Sequence, residues 1–173
     1  PALVADEGGV DVDDTAPRYG HSAQAELAVV GVRVERHLHE LQDDVLIMGS
    51  MVEKALERSM EALKNRNLDL AHQVVQDDAR INQKRFDIEE KCVELIATQQ
   101  PMASDLRVII AVLNIIVDLE RIADHAEGNA KIAVMIGSEP PLKPLIDLPR
   151  MNQKTVDMLK RSLDAFINRD AEA

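Results

Sequence analysis

Between Arg36 and Ile136 this chain has only two places to turn, Asn65-Arg66-Asn67 and Pro101. On either side of them apolar residues recur in alternating three- and four-residue steps, the period of a helix with one buried face. Leu38, Leu41, Val45, Met48, Val52, Ala55, Ser59 and Ala62 predict such a face on a helix from about Arg36 to Asn65. Ala71, Val74, Asp78, Ile81, Arg85, Ile88, Cys92 and Leu95 predict a second, from about Leu68 to Gln99. Pro101 stops it, because the residue before a proline avoids helical angles. A third helix is expected from about Met102 to Ile136, where Gly137 suits the C′ position and Pro140, Pro141 and Pro144 forbid continuation. A fourth is expected from about Leu148 to Asp170. Three helices of roughly thirty residues are each about 45 Å long. Joined by short loops, they must run antiparallel, side by side. The expected class is therefore all-α, a three-helix bundle with a fourth helix appended.

Composition agrees. Aromatic residues make up 2% of the chain, with no Trp, one Tyr and two Phe, so the core must be packed from Leu, Ile, Val, Ala and Met. A net charge of −11 excludes a nucleic-acid surface, which needs clustered Lys and Arg. It is compatible with binding cations or a basic protein. Cys92 is the only cysteine, which excludes a disulfide framework or a thiolate metal cluster; at core spacing it is expected to be buried and inert. The longest apolar stretch, Val108 to Val117, is about half of what crossing a bilayer requires. The N-terminus lacks the basic patch and apolar run of a signal peptide, so a soluble cytoplasmic protein is expected. Residues 1–33 carry no sustained period and are expected to be flexible. The first methionine is Met48, so either an initiator was removed before Pro1 or the chain is a fragment.

An internal repeat adds to this. The run Leu56 to Arg66 (LERSMEALKNR) aligns with Leu159 to Arg169 (LKRSLDAFINR), with six of eleven positions identical. The fourth helix then reads as the first helix of a second, incomplete copy. The expected organisation is a flexible segment 1–33, a three-helix unit 34–137, a proline-rich linker 138–147, and the opening helix of the second copy, 148–173.

The chemistry concentrates on the third helix. Leu106, Ile110, Leu113 and Val117 follow helical steps that continue into Glu120, Asp124 and Glu127, so an apolar line expected to face inward turns acidic. Inward carboxylates are costly unless a cation, a basic partner or water neutralises them. Glu120 and Asp124, four apart, share one face and can reach one ion; oxygen-only ligation favours iron, manganese, magnesium or calcium over a closed zinc site. The same spacing also suits a plain solvated face. On the second helix Asp77 and Asp78 begin another acidic element, and Asp78 with Asn82 gives D-x-x-x-N. Asp78 reads either as a ligand or as the partner of Arg85. Asp118, Arg121 and His125, in line with Arg107 and Asn114, form another face, suited to surface pairing or partner binding. Asp105 suits the N-terminal dipole of its helix. His37 and His39, two apart, diverge and read as surface residues. There is no glycine-rich phosphate loop and no G-x-S-x-G elbow, and the nearest candidate for Glu-x-x-His ferritin ligation, Glu120-x-x-x-Asp124-His125, puts His one step past the carboxylate face. No motif supports enzyme activity.

The run QQPMASDLRVIIAVLNIIVDLERIADHAEGNA, from Gln99 to Ala130, resembles the third-helix signature of the PhoU family, accessory regulators of phosphate-specific transport. LQDDVLIMGSMVEKALERSMEAL and DDARIN are similar too, and the likeness covers about Glu35 to Ala173. It implies a bundle of the PhoU or spectrin type, in a family whose members carry two three-helix bundles in tandem. It further implies a cytoplasmic, non-enzymatic, often dimeric negative regulator of phosphate uptake and of the phosphate-starvation response. Partners implied are the ATPase of the phosphate ABC transporter and a sensor histidine kinase. Some members bind iron or other metal clusters through E/D-x-x-x-D motifs, which Glu120 and Asp124 match. Asp78 matches an acidic position on the second helix, although Asn82 stands where a second carboxylate would be stronger. Two other functions are compatible with the residues: a ferritin-like metal-binding oxidase or storage bundle, and a metal-free helical interaction module.

Overall fold

The computed structural model describes residues 20–140, 142–170 and 172, with side chains from residue 31 onward. Every regular element among them is helical: α1 (Gly20–Asn65), α2 (Leu68–Gln99), α3 (Ala103–Ile136) and α4 (Asp147–Asn168). α1, α2 and α3 pack on one another as a bundle, and α4 lies on α1.

The turns are set locally. Asn67 caps α2 by accepting a hydrogen bond from the Leu70 amide at 3.0 Å, satisfying one of the free donors of the first turn. Gln100, before Pro101, takes a left-handed conformation with φ 45°. Gly137 ends α3 with φ 67°, and its amide donates back to the Ala133 carbonyl at 3.1 Å.

The inward faces of α1 and α2 follow their sequence period. Leu38, Leu41, Val45, Met48, Val52, Ser59 and Ala62 are buried, as are Ala71, Val74, Ile81, Ile88, Cys92 and Leu95. Burial pushes the Cys92 thiol up to about 11, with Glu89 adding to the effect, so the sulfur is an unreactive core atom.

Two expectations need correction. α1 begins at Gly20, so residues 20–33, expected to be flexible, are helical; residues 1–19 lie outside the described set. That stretch has no proline, and its run from Ala23 to Ala28 (AQAELA) is made of good helix formers, so the helix propagates backward on local propensity. Val32 is exposed, while Val34 is the first described residue to be buried. The second correction concerns α3. Its inward line is Ile109, Val112, Ile116, Leu119, Ala123, Ala126, Ala130 and Ala133, whereas Ile110 and Val117 are exposed. Between Val108 and Val117 nearly every residue is apolar, so that stretch cannot fix which side turns inward. The alanines further on do, because among charged neighbours they alone leave room for α1 and α2 to approach.

A part-buried ion cluster ties α1 to α2. Asp44, 7% exposed, accepts hydrogen bonds from Lys84 at 2.6 Å and from Lys91 at 2.5 Å. Burial alone would raise its carboxyl, but the two ammonium groups outweigh it and hold Asp44 below the usual range.

α4 buries Val156 and Leu159 and runs antiparallel to α1. Lys160 pairs with Glu53 at 2.8 Å, and Leu163 sits so close over Gly49 that a Cβ there would collide with its Cδ1. In the internal repeat Leu163 corresponds to Met60 and Lys160 to Glu57, so both contacts are centred near Ala55. The two related helices thus meet about a local two-fold. Their ends match as well: Arg66 and Arg169, equivalent in the repeat, are both left-handed, with φ 55° and 54°.

Candidate functional site

Four-, three- and four-residue steps align Asp78, Asn82, Arg85 and Glu89 along the edge of α2 that borders α3. The facing edge of α3 carries Glu120, Asp124, Glu127 and Lys131. Because the helices are antiparallel, Arg85 meets Glu120 while Asp78 faces the Asp124–Glu127 turn. Arg85 Nε lies 3.2 Å from Glu120 Oε2 and its Nη2 3.4 Å from Glu89 Oε2. The contact with Glu120 lacks hydrogen-bond alignment, leaving Arg85 Nε buried without an acceptor. The same guanidinium stacks 4.8 Å from the centroid of the Phe86 ring. Asn82 donates to Asp78 Oδ2 at 2.8 Å, and Lys131 to Glu127 Oε2 at 2.7 Å.

Asp78 is the electrostatic anomaly of this seam. Its Oδ1 and the amide Oδ1 of Asn82 are buried with no donor in reach. Burial pushes the Asp78 carboxyl above its ordinary value; Glu127 and Asp124 raise it further, and the Asn82 hydrogen bond and Lys131 offset this only in part. Asp78 and Glu127 also border a cleft of about 220 Å³ between the three helices, floored by Ile81 and Ala123. At its mouth Arg58 donates to Asp77 at 2.6 Å and to Gln73 at 3.0 Å, and this pairing holds the Asp77 carboxyl low.

The sequence-derived candidates are therefore divided. Asp78 and Asp124 border one seam, together with Glu127 and Asn82. Glu120 is one turn away and engaged by Arg85. The expected pairing of Asp78 with Arg85 does not form, because Arg85 reaches across to α3 instead. Arg107, Asp118, Arg121 and His125 are all exposed. Asp118 and Arg121 are 3.3 Å apart, as their spacing suggests, but both are at least 70% exposed, and such pairs contribute little. Asp105 lies in the first turn of α3. Asp44 was missed; its signal was a carboxylate beside Val45 on the inward face of α1, with Lys84 and Lys91 seven residues apart on α2.

Residues 45–133 match the PhoU domain, a span that holds the whole α2–α3 seam. The chain belongs to the PhoU family. It is 36% identical over 139 residues to the phosphate-specific transport system accessory protein PhoU homolog of Aquifex aeolicus, covering 80% of this chain and 63% of that one. Against the accessory protein PhoU of Escherichia coli (strain K12) the identity is 36% over 135 residues, covering 78% and 56%. The chain thus spans roughly three-fifths of the length of these relatives. Among solved structures, PhoU from Pseudomonas aeruginosa superposes with a TM-score of 0.75 at 34% identity, covering 80% of this chain and 66% of that one. The phosphate transport system regulatory protein PhoU from Streptococcus pneumoniae gives 0.73 at 30% identity, covering 80% and 65%. The all-helical bundle expected from the resemblance is therefore that of the family. No helix among the described residues is long and apolar enough to cross a membrane.

Proposed function

We propose that the chain is a non-enzymatic, cytoplasmic negative regulator of phosphate uptake and of the phosphate-starvation response. In this role it links the ATPase of a phosphate ABC transporter to a sensor histidine kinase. The match of residues 45–133 to the PhoU domain carries the proposal, since the relatives at 36% identity are accessory proteins of phosphate-specific transport.

A bound cation is the second part of the proposal. The two donorless oxygens of Asp78 and Asn82, with Asp124 and Glu127 opposite, suit a hard divalent ion such as iron or manganese, which prefers oxygen ligands. Among the described residues, no three His, Cys, Asp or Glu side chains already stand close enough to hold one ion. Asp124 and Glu127 would have to swing toward Asp78, and Glu120 would join only by leaving Arg85. A metal held there would supply positive charge that Lys131 provides only in part at that turn.

Deleting the gene in its own host tests the regulatory role: phosphate uptake and a starvation-promoter reporter should become constitutively high in phosphate-replete medium. If both stay repressed, the proposal fails. Calorimetric titration with ferrous or manganous ion tests the cation; Asp78→Asn and Asp124→Asn should each weaken binding by about tenfold or more, as loss of one charged ligand implies. Iron-dependent oxygen consumption would instead favour the oxidase alternative. Absence of binding by the wild type would leave a metal-free interaction module.

A further inference from the structure

The cleft bordered by Asp78 is lined by three acidic and three basic side chains, and the helices sort them by sign. On α1, Lys54 and Arg58 stand one turn apart on the face that lines it; on α3 the charged lining residue is Glu127. Between them α2 contributes Asp77, Asp78 and Arg80. The two adjacent aspartates serve opposite walls. Asp77 meets the α1 side, where Arg58 donates to it at 2.6 Å, and Arg80 lies 3.6 Å away. Asp78 lies on the α3 side, near Glu127 and Asp124. The cleft is therefore polarised across its width, basic toward α1 and acidic toward α3. A lone anion would face the acidic wall and a lone cation the basic one. A cation and an anion bound together match both.

The supply of ligands favours the same pairing. Asp78 Oδ1 and Asn82 Oδ1 have no donor, yet among the described residues no three His, Cys, Asp or Glu side chains stand close enough to hold one ion. Small hard ions such as magnesium are commonly held by one or two carboxylates, with phosphate oxygens and water completing the shell. On the basic wall a single carboxylate, Asp77, answers both Arg58 and Arg80, and Lys54 beside them is exposed. Two guanidinium groups and an ammonium leave positive charge to spare, and arginine forks fit phosphate oxygens. The volume, about 220 Å³, is below the roughly 300–1,000 Å³ of pockets that enclose drug-sized ligands, so the occupants are small ions.

We propose that this cleft binds inorganic phosphate together with the divalent cation, with Lys54, Arg58 and Arg80 holding the anion and Asp78 the cation. The site rests on the cation binding proposed above and makes the regulator itself responsive to phosphate. Asp77 is its internal competitor, a carboxylate that engages Arg58 until phosphate displaces it. By linkage, each ion raises the affinity of the other by the same factor.

Equilibrium dialysis of the full chain against manganous ion and inorganic phosphate, separately and together, is the test, with circular dichroism confirming that each variant is folded. Phosphate should tighten manganese binding at least about tenfold, and manganese should tighten phosphate binding equally. Arg58→Gln, and separately the exposed Lys54→Gln, should cut that coupling to under about twofold, while Asp77→Asn should tighten phosphate binding severalfold. Manganese binding that ignores phosphate would overturn this proposal and leave the cation site standing. No manganese binding, with or without phosphate, would overturn both and leave the regulatory role to the gene deletion. Coupling that persists in both cation-removing variants would also sink it, as would weaker phosphate binding by Asp77→Asn. So would equal tightening by sulfate, which would make the cleft a general anion site.

Discussion

Asp44 and Asp78 are both largely withdrawn from water on neighbouring seams of the same bundle, yet their surroundings drive them in opposite directions. Between α1 and α2, Lys84 and Lys91 converge on Asp44 and hold its carboxyl low. Between α2 and α3, burial together with Glu127 and Asp124 holds the Asp78 carboxyl high, and one of its oxygens has no donor. One seam is electrically complete within the chain and acts as a structural clamp. The other carries negative charge that its neighbours offset only in part. Burial alone therefore does not set the charge balance of a carboxylate; the identity of the opposing groups does.

The comparison assumes that the α3 carboxylates stand at an edge rather than in the core, and that assumption can be broken by the largest effect. Ile116→Ala should cost about 3 kcal/mol in urea unfolding, as expected for emptying a fully buried site, whereas Ile110→Ala should cost under about 1 kcal/mol. Equal losses would restore the line through Ile110 and Val117 as the inward one. Next in size, Asp44→Ala should cost about 2 kcal/mol near neutral pH, because two partly buried ammonium groups lose their acceptor.

The pH dependence of two amide variants sharpens the contrast further. A folded-state value below the ordinary 3.8 means that Asp44 contributes stability above that value and loses it as pH falls through the folded value. The deficit of Asp44→Asn should accordingly shrink in acid. For Asp78 the sign reverses: its value is raised, so its contribution is full below 3.8 and is lost as pH rises through the folded value. Metal-free Asp78→Asn should thus gain on the wild type from acid to neutral pH, by less than about 1 kcal/mol. A neutral-pH loss in that variant would erase the distinction between the seams. The smallest effect belongs to the periphery. Gly49→Ala should cost at most about 1 kcal/mol, since the flexible end of Leu163 can shift, and should appear as faster amide exchange confined to α4.

How far the sequence could be read followed from how polar and apolar residues were interleaved. α1 and α2 alternate them cleanly, so the inward lines through Val45, Met48 and Val52, and through Ile81, Ile88 and Cys92, were legible directly. α3 is apolar on every side from Val108 to Val117, and there the period carried no phase; reading back from Ala123, Ala126 and Ala130 would have set it. The candidate site was legible in part. Asp78 and Asp124 were recognisable from helical spacing, but Glu127 as the closer neighbour of Asp78, and Arg85 as the partner of Glu120, depend on the register between two helices. Spacing within one helix cannot supply that register.

The sequence by itself determined the helices, their ends apart from the start of α1, and the family, because helical period, proline and glycine act over a few residues, and the PhoU signature lies in one continuous run. Tertiary structure alone decided which aspartate is neutralised and which is not. That outcome depends on which side chains from separate helices meet across a seam. Here Lys84 and Lys91 reach Asp44 on α1, while Glu127 and Asp124 bring only like charge near Asp78 on α2.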